Sequence, residues 1–230
     1  MRYDGKKKNG EKVTDIKVIW QDETLEPNKR KLLDAALIEF SAKGYERGST
    51  NQIVQNAGVS KGMLFHFFGN KKGLFLAIVD ACIERFFAYI QARMEAAPQD
   101  FFTRFLHVNQ AKMALFAEEP AIYQMAVATF FDYPEECRAE IEDREAQFNA
   151  RYLPLFLDQV DTSLIKAQFD PQKALHFLLS AVEALTQKYV RENYDASDKG
   201  FAHVQSFFAE LESYMDMMKV GLYKQSDSGA

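Results

Sequence analysis

Only six prolines and eleven glycines punctuate the 230 residues, and between them apolar side chains recur at helical spacing. Leu33, Ala36, Leu37 and Phe40 fall at i, i+3, i+4 and i+7, which gathers them on one face of an amphipathic helix. The prolines sit where helices start or stop. Pro120, Pro134 and Pro171 suit first-turn positions, where a missing N–H costs nothing, and Pro98 ends a long apolar stripe. With twenty Phe and ten Tyr as core material, the chain is expected to be all-α. Apolar residues at 47% and charged residues at 27% exclude disordered, collagen-like and disulfide-scaffold classes.

Cys82 and Cys137 share no metal-ligand spacing, so a reducing compartment is the simpler reading. Residues 1–12 are charged and lack the apolar core of a secretory signal. Asp80, Glu84 and Arg85 interrupt the best apolar stretch, so no membrane span is expected, and the protein is expected to be cytoplasmic. The net charge of −5 hides an asymmetry: residues 28–72 hold 8 basic and 3 acidic side chains, residues 73–230 hold 14 and 24. A basic front end can face a polyanion. Charge alone equally allows a solvated surface.

Residues 1–27 sustain no helical stripe and are expected to be a flexible extension, as are the last residues, 226–230. From Asn28 a first helix runs to a glycine stop at Gly44. Ser49 with Gln52 three residues on is a capping-box signal for a short helix that Gly58 ends. Ser60 then caps a third helix over Lys61 to Phe68, and a long fourth begins near Lys71. Further helices are expected over about 101–118, from Pro120 to about Phe131, from Pro134 to about Gln159 with a kink or break at Pro154, over 171–194, and from Ser197 or Asp198 to about Tyr223.

Two short helices across Gly58-Val59-Ser60 form a candidate helix-turn-helix. A helix of that length fits the DNA major groove, and its N-terminal N–H groups can face phosphate. Gly62 would let the backbone approach closely, Lys61, Lys71 and Lys72 would supply charge, and Thr50 would offer a hydroxyl. Leu64 and Phe68 are expected to face inward. On spacing alone, any three-helix bundle with a tight turn gives the same pattern.

Three runs narrow this. They are Lys31 to Phe40 (KLLDAALIEF), Lys43-Gly44-Tyr45, and Thr50 to Phe68 (TNQIVQNAGVSKGMLFHFF), followed by Asn70-Lys71 and Leu74-Phe75. Together they resemble the DNA-binding domain of the TetR family, over about residues 28–78. The resemblance implies that residues 28–74 are a helix-turn-helix domain and that 75–225 form a helical effector-binding and dimerisation domain. It implies a DNA face of Thr50, Ser60, Lys61, Gly62, Met63, Phe65, His66, Phe67 and Lys71. Of these, Thr50, Ser60 and Lys71 would contact phosphate, and Lys61, Gly62 and Met63 would meet base edges. Phe65 and Phe67 depart from the family, where tyrosine is common, and remove two possible phosphate hydrogen bonds.

The implied partners are a palindromic DNA operator, a small effector, and a second copy held through the last two long helices. The apolar stripes there are Ala174, Leu178, Ala181, Val182 and Leu185, then Val204, Phe208, Leu211, Tyr214 and Met215. Candidate effector contacts are Phe102, Phe105, Met113, Phe116, Tyr123, Met125, Phe130, Phe131, Tyr152, Phe156 and Phe177, and each equally suits an ordinary core. His107 and His176 are candidate polar contacts. No metal or cofactor motif is present, and His66, His107, His176 and His203 are too scattered for one. Gly58-Val59-Ser60-Lys61-Gly62 matches the hydrolase pattern G-x-S-x-G, which requires a preceding strand that this sequence does not offer. The remaining alternative is a helical interaction module whose helix-turn-helix no longer binds DNA.

Overall fold

The computed structural model describes residues 25–130, 133–193 and 204–224. Residues 1–24, 131–132, 194–203 and 225–230 lie outside them, and with them the expected extension, the end expected at Phe131, the helix start expected at Ser197 or Asp198, and the expected tail. Among the described residues nine α-helices follow one another: α1 Pro27–Arg47, α2 Thr50–Ala57, α3 Lys61–Phe68, α4 Lys71–Glu95, α5 Phe101–Glu118, α6 Pro120–Phe130, α7 Arg138–Leu157, α8 Pro171–Asn193 and α9 Val204–Leu222. No strand occurs among the described residues, only an isolated antiparallel bridge between Ile165 and Tyr223.

Packing divides the chain into two compact units that do not follow chain order. One holds the described residues up to Ala88 with Leu115–Glu145; the other holds Tyr89–Ala114 with the described residues from Ala146 on.

In the first unit α1 packs on α2, α3 and α6. Leu32, Leu33, Ala36, Leu37 and Phe40 give α1 its buried side, at about 1.5–3 kcal/mol for each large side chain removed from water. The Phe40 and Tyr45 rings meet Phe75 of α4 edge-on at 5.3 and 5.0 Å. Gly44 interrupts the helical backbone where the stop is expected, and Tyr45 beyond it packs on Phe75. Gly44 takes φ 70°, but one more turn follows and is closed by the Gly48 N–H on the Gly44 and Tyr45 carbonyls. Charged pairs hold α4 to residues 119–144. Arg85 reaches Glu119, Arg144 forks onto Asp80 at 2.6 and 2.8 Å, and Lys72 pairs with Glu140.

In the second unit Asp100 caps α5, accepting from the Thr103 N–H at 2.9 Å, and Asp170 caps α8 through Lys173 at 2.8 Å. The stretch expected to open at Pro134 begins instead with a tight 3-10 turn, Glu135–Cys137. Of the kink or break expected at Pro154, no break occurs: α7 runs through it to Leu157, and Phe156 docks on Phe101 at 5.7 Å. Proline there forfeits one intrahelical bond within a turn of the helix end, where few bonds remain to lose.

Candidate nucleic-acid interface

The turn between α2 and α3 is built by local rules. Ser49 Oγ accepts from the Gln52 N–H at 3.3 Å, but Gln52 does not complete a capping box; its amide donates to Asn56 at 2.8 Å. The Ser49 N–H donates instead to Glu39 of α1 at 3.0 Å, a buried carboxylate that Lys43 also meets at 2.8 Å. Gly58 ends α2 with φ 65°, the left-handed value a side chain would resist. Ser60 opens α3, its Oγ accepting from the Met63 N–H at 3.3 Å. Asn70 opens α4 through the Gly73 N–H at 2.8 Å. A Cβ on Gly73 would lie 2.1 Å from the Phe68 carbonyl oxygen, so that corner accepts only glycine.

These elements orient α3. Leu64 is fully buried and anchors the helix, while Lys61, Gly62, Phe65 and His66 face solvent. Phe65 is 44% exposed, and the Lys61 ammonium stands over its ring at 5.9 Å. Met63, Phe67 and Phe68 are half-buried, with Phe67 beside the His66 ring at 5.2 Å. Phe68, expected inside, is only partly so. Thr50 is half-buried at the start of α2.

The lysines expected to supply charge are not equivalent. Lys61 is exposed. Lys71 donates to the Glu46 carbonyl at 3.2 Å and lies 4.5 Å over the Tyr45 ring. Lys72 is neutralised by Glu140 and donates to the Glu136 carbonyl at 2.6 Å. Lys61 is thus exposed with no ion pair among the described residues, whereas Lys72 is spent on internal packing.

The other candidate residues scatter. Phe102 and Phe156 are buried, Phe105, Met113 and Tyr152 are half-buried, and Phe177 is 54% exposed, all in the second unit. Phe116, Tyr123 and Phe130 are half-buried in the first, Phe116 and Tyr123 pairing at 5.2 Å, and Met125 is buried there. His107 is half-buried and His176 exposed. A shallow groove lies between α8 and α9, lined among others by Leu185, Tyr189, Phe207 and Tyr214; none of the candidate effector contacts borders it. Of the expected partner-facing stripes, Ala174, Leu178, Val182, Leu211 and Met215 are buried inside the subunit itself, and the Val204 side chain lies outside the described residues.

The G-x-S-x-G match lacks the strand that a nucleophile elbow requires. Ser60 follows a helix rather than a strand, and its hydroxyl is a helix cap. Burial pushes the Cys82 thiol up to about 12 and Cys137 up to about 11, leaving neither a nucleophile at neutral pH. No helix among the described residues is long and apolar enough to cross a membrane.

A capped, glycine-turned pair of short helices with a basic, solvent-facing second helix is the architecture of a helix-turn-helix transcriptional regulator that binds DNA. Residues 32–78 match the family described as bacterial regulatory proteins, tetR family, so the chain carries a TetR-family DNA-binding domain. It is 26% identical over 188 residues to the transcriptional repressor Rv1474c of Mycobacterium tuberculosis, covering 75% of this chain and 97% of that one. It is 25% identical over 129 residues to the regulator YvkB of Bacillus subtilis, of which it spans 66%, and 29% identical over 147 residues to RutR of Escherichia coli, of which it spans 59%. A TetR-family regulator from Shewanella shares the fold with a TM-score of 0.53 at 18% identity, over 86% of this chain and 99% of that one. The fatty acid degradation regulator FadR of Bacillus halodurans does so with 0.53 at 17%, over 77% and 94%.

Proposed function

We propose that this chain is a repressor that binds a palindromic operator as a homodimer and leaves it when a small apolar or aromatic effector binds. In this reading residues 28–74 read DNA, and 75–225 hold the effector and the second copy. The carrying observation is the face of α3: Lys61, bare backbone at Gly62, Phe65 and His66, presented by a buried Leu64. Lys61 and Gly62 suit a base edge, with Met63 and Phe65 against thymine methyls, and Thr50, Ser60 and Lys71 suit the flanking phosphates. Phe67 packs at the edge of this face beside His66.

One short helix reads too few bases, so two must stand about 34–36 Å apart, one DNA turn. Phe177, Met217 and Val220 are large, apolar and exposed on α8 and α9, which supports a second copy as the missing cover. An effector lowers operator affinity only by its preference for a conformation in which the heads are wrongly spaced.

Selection of bound duplexes from sheared genomic DNA at two salt concentrations tests this. A short palindrome, lost as salt rises, is the expected result. A folded dimer, stripped of ligand, that enriches no sequence at either salt would leave the interaction-module reading.

A further inference from the structure

α5 carries two cations on its buried side, and the fold treats them oppositely. Arg104 is 1% exposed and fully answered. Its guanidinium donates to the Phe156 carbonyl at 2.7 Å, to Ala97 at 3.2 Å, to Pro98 at 3.4 Å and to Leu155 at 3.4 Å. These carbonyls close the ends of α4 and α7, where helix dipoles place partial negative charge. A cation with no carboxylate among its hydrogen-bond partners is thereby stabilised.

Lys112 has no such answer. It lies four residues beyond Val108, three beyond Asn109 and three before Leu115, all buried, so its stem leaves α5 from the buried side. The side chain is half-buried and makes no hydrogen bond, ion pair or ring contact with any described residue. Burial alone holds its pKa below the ordinary 10.5, with no charged neighbour contributing. A desolvated ammonium without a partner is costly, and an apolar side chain of similar length in its place would stabilise the fold.

The same face of α5 carries Phe105, whose contacts in this unit are aromatic. Phe105, two turns back on α5, meets Phe156 at 6.4 Å, and Phe156 stacks with Tyr152 of α7 at 6.2 Å. Phe105, Met113 and Tyr152 keep part of their surface open. Asn109, the polar neighbour on this face, has its amide committed to the Phe105 carbonyl at 2.9 Å. Lysine is a compact charge with three donors on a flexible stem, suited to the acidic end of a ligand.

We propose that Lys112 anchors the acidic head of an amphiphilic effector, an organic anion whose apolar or aromatic body is met by the open surfaces of Phe105, Met113 and Tyr152. This rests on the effector-binding reading above and narrows it: a neutral hydrocarbon would leave the ammonium as unpaired as it is now.

Two fluorescent probes with one aromatic body separate the possibilities in the intact protein. Anilinonaphthalene sulfonate carries an anionic group, and phenylnaphthylamine lacks it. Wild-type protein is expected to bind the sulfonate more tightly. Lys112→Met should weaken the sulfonate about tenfold to a hundredfold, the range of a charge-assisted bond, and leave phenylnaphthylamine unchanged. Lys112→Arg should retain the sulfonate. Without probe, Lys112→Met should melt about 2–4 °C higher than wild type. If both probes bind and Lys112→Met alters neither, the effector site stands and the anion anchor falls. If neither probe binds wild-type protein, the effector-site reading itself fails and takes the anchor with it. A Lys112→Met protein that melts lower than wild type would make Lys112 a packing residue and overturn the proposal.

Discussion

The helix-turn-helix and the α5–α7 core solve the same problem, satisfying polar groups as chain is buried, over different distances along the sequence. In the former, Ser49, Ser60 and Asn70 each accept from an N–H three residues on, the Ser49 N–H reaches Glu39 ten residues back, and Lys71 reaches the Glu46 carbonyl 25 residues back. In the latter, Arg104 reaches Phe156, 52 residues away. The Phe101 N–H donates to the Tyr223 hydroxyl, 122 residues away, and Lys166 and Leu222 pair through backbone at 2.9 Å. Short-range satisfaction is written in residue type and spacing; long-range satisfaction depends on a tertiary fold. The largest losses are therefore expected where partners are most remote.

Arg104→Leu should show the largest effect. It strands four carbonyls that Arg104 alone is seen to hold together, and about 3–5 kcal/mol of stability should be lost, the cost of breaking a buried charged network. Urea unfolding of the intact protein followed by helical signal reads it. Loss of under about 1 kcal/mol would mean water replaces the guanidinium and that remoteness is no guide to importance.

Next comes DNA binding, where the comparison is between two lysines rather than two units. Lys61→Met should weaken operator affinity and flatten the salt dependence by about one released counterion, while Lys72→Met should leave the slope unchanged because Glu140 already neutralises it. Equal slopes for both variants would mean that Lys72 leaves Glu140 for phosphate on binding. Smaller again is Ser60→Ala. A lost helix cap costs about 1 kcal/mol, visible as roughly fivefold faster exchange of the Met63 amide. An unchanged rate would show that α3 is held by Leu64 and not by its cap.

These contrasts explain what was legible in the sequence. The three front helices, their caps and the exposure of Lys61, Gly62 and His66 follow from glycine, serine and apolar spacing within a few residues. The packing of α6 on α1 did not, because nothing in 120–130 names its neighbour. Nor did the engagement of Lys72, since Glu140 lies 68 positions downstream and any solvated lysine reads the same. The stripes on α8 and α9 were legible as apolar but not as inward or outward facing, and several proved to be the subunit's own core. For Arg104 and Lys112 a signal did exist. Both fall in register with Phe101, Phe105 and Val108, so each is a charge on an apolar stripe, which a pattern search for hydrophobic residues alone passes over.

The smallest expected effect tests whether those two cations differ as their surroundings imply. Because burial depresses the Lys112 pKa below 10.5, the unfolded chain binds more protons than the folded one between the depressed value and 10.5. Stability contributed at this site must then rise with pH across that window, and below it the full cost of the buried ammonium remains. Lys112→Met has no such group. Its advantage over wild type, on the order of 1 kcal/mol near neutrality, should shrink as pH is raised toward 10.5 in parallel melts of the two proteins. Arg104→Leu should show no comparable convergence, since a guanidinium stays protonated throughout that range. A constant gap for Lys112→Met would place the ammonium in water, and with it would go the physical reason for seeking an acidic effector there.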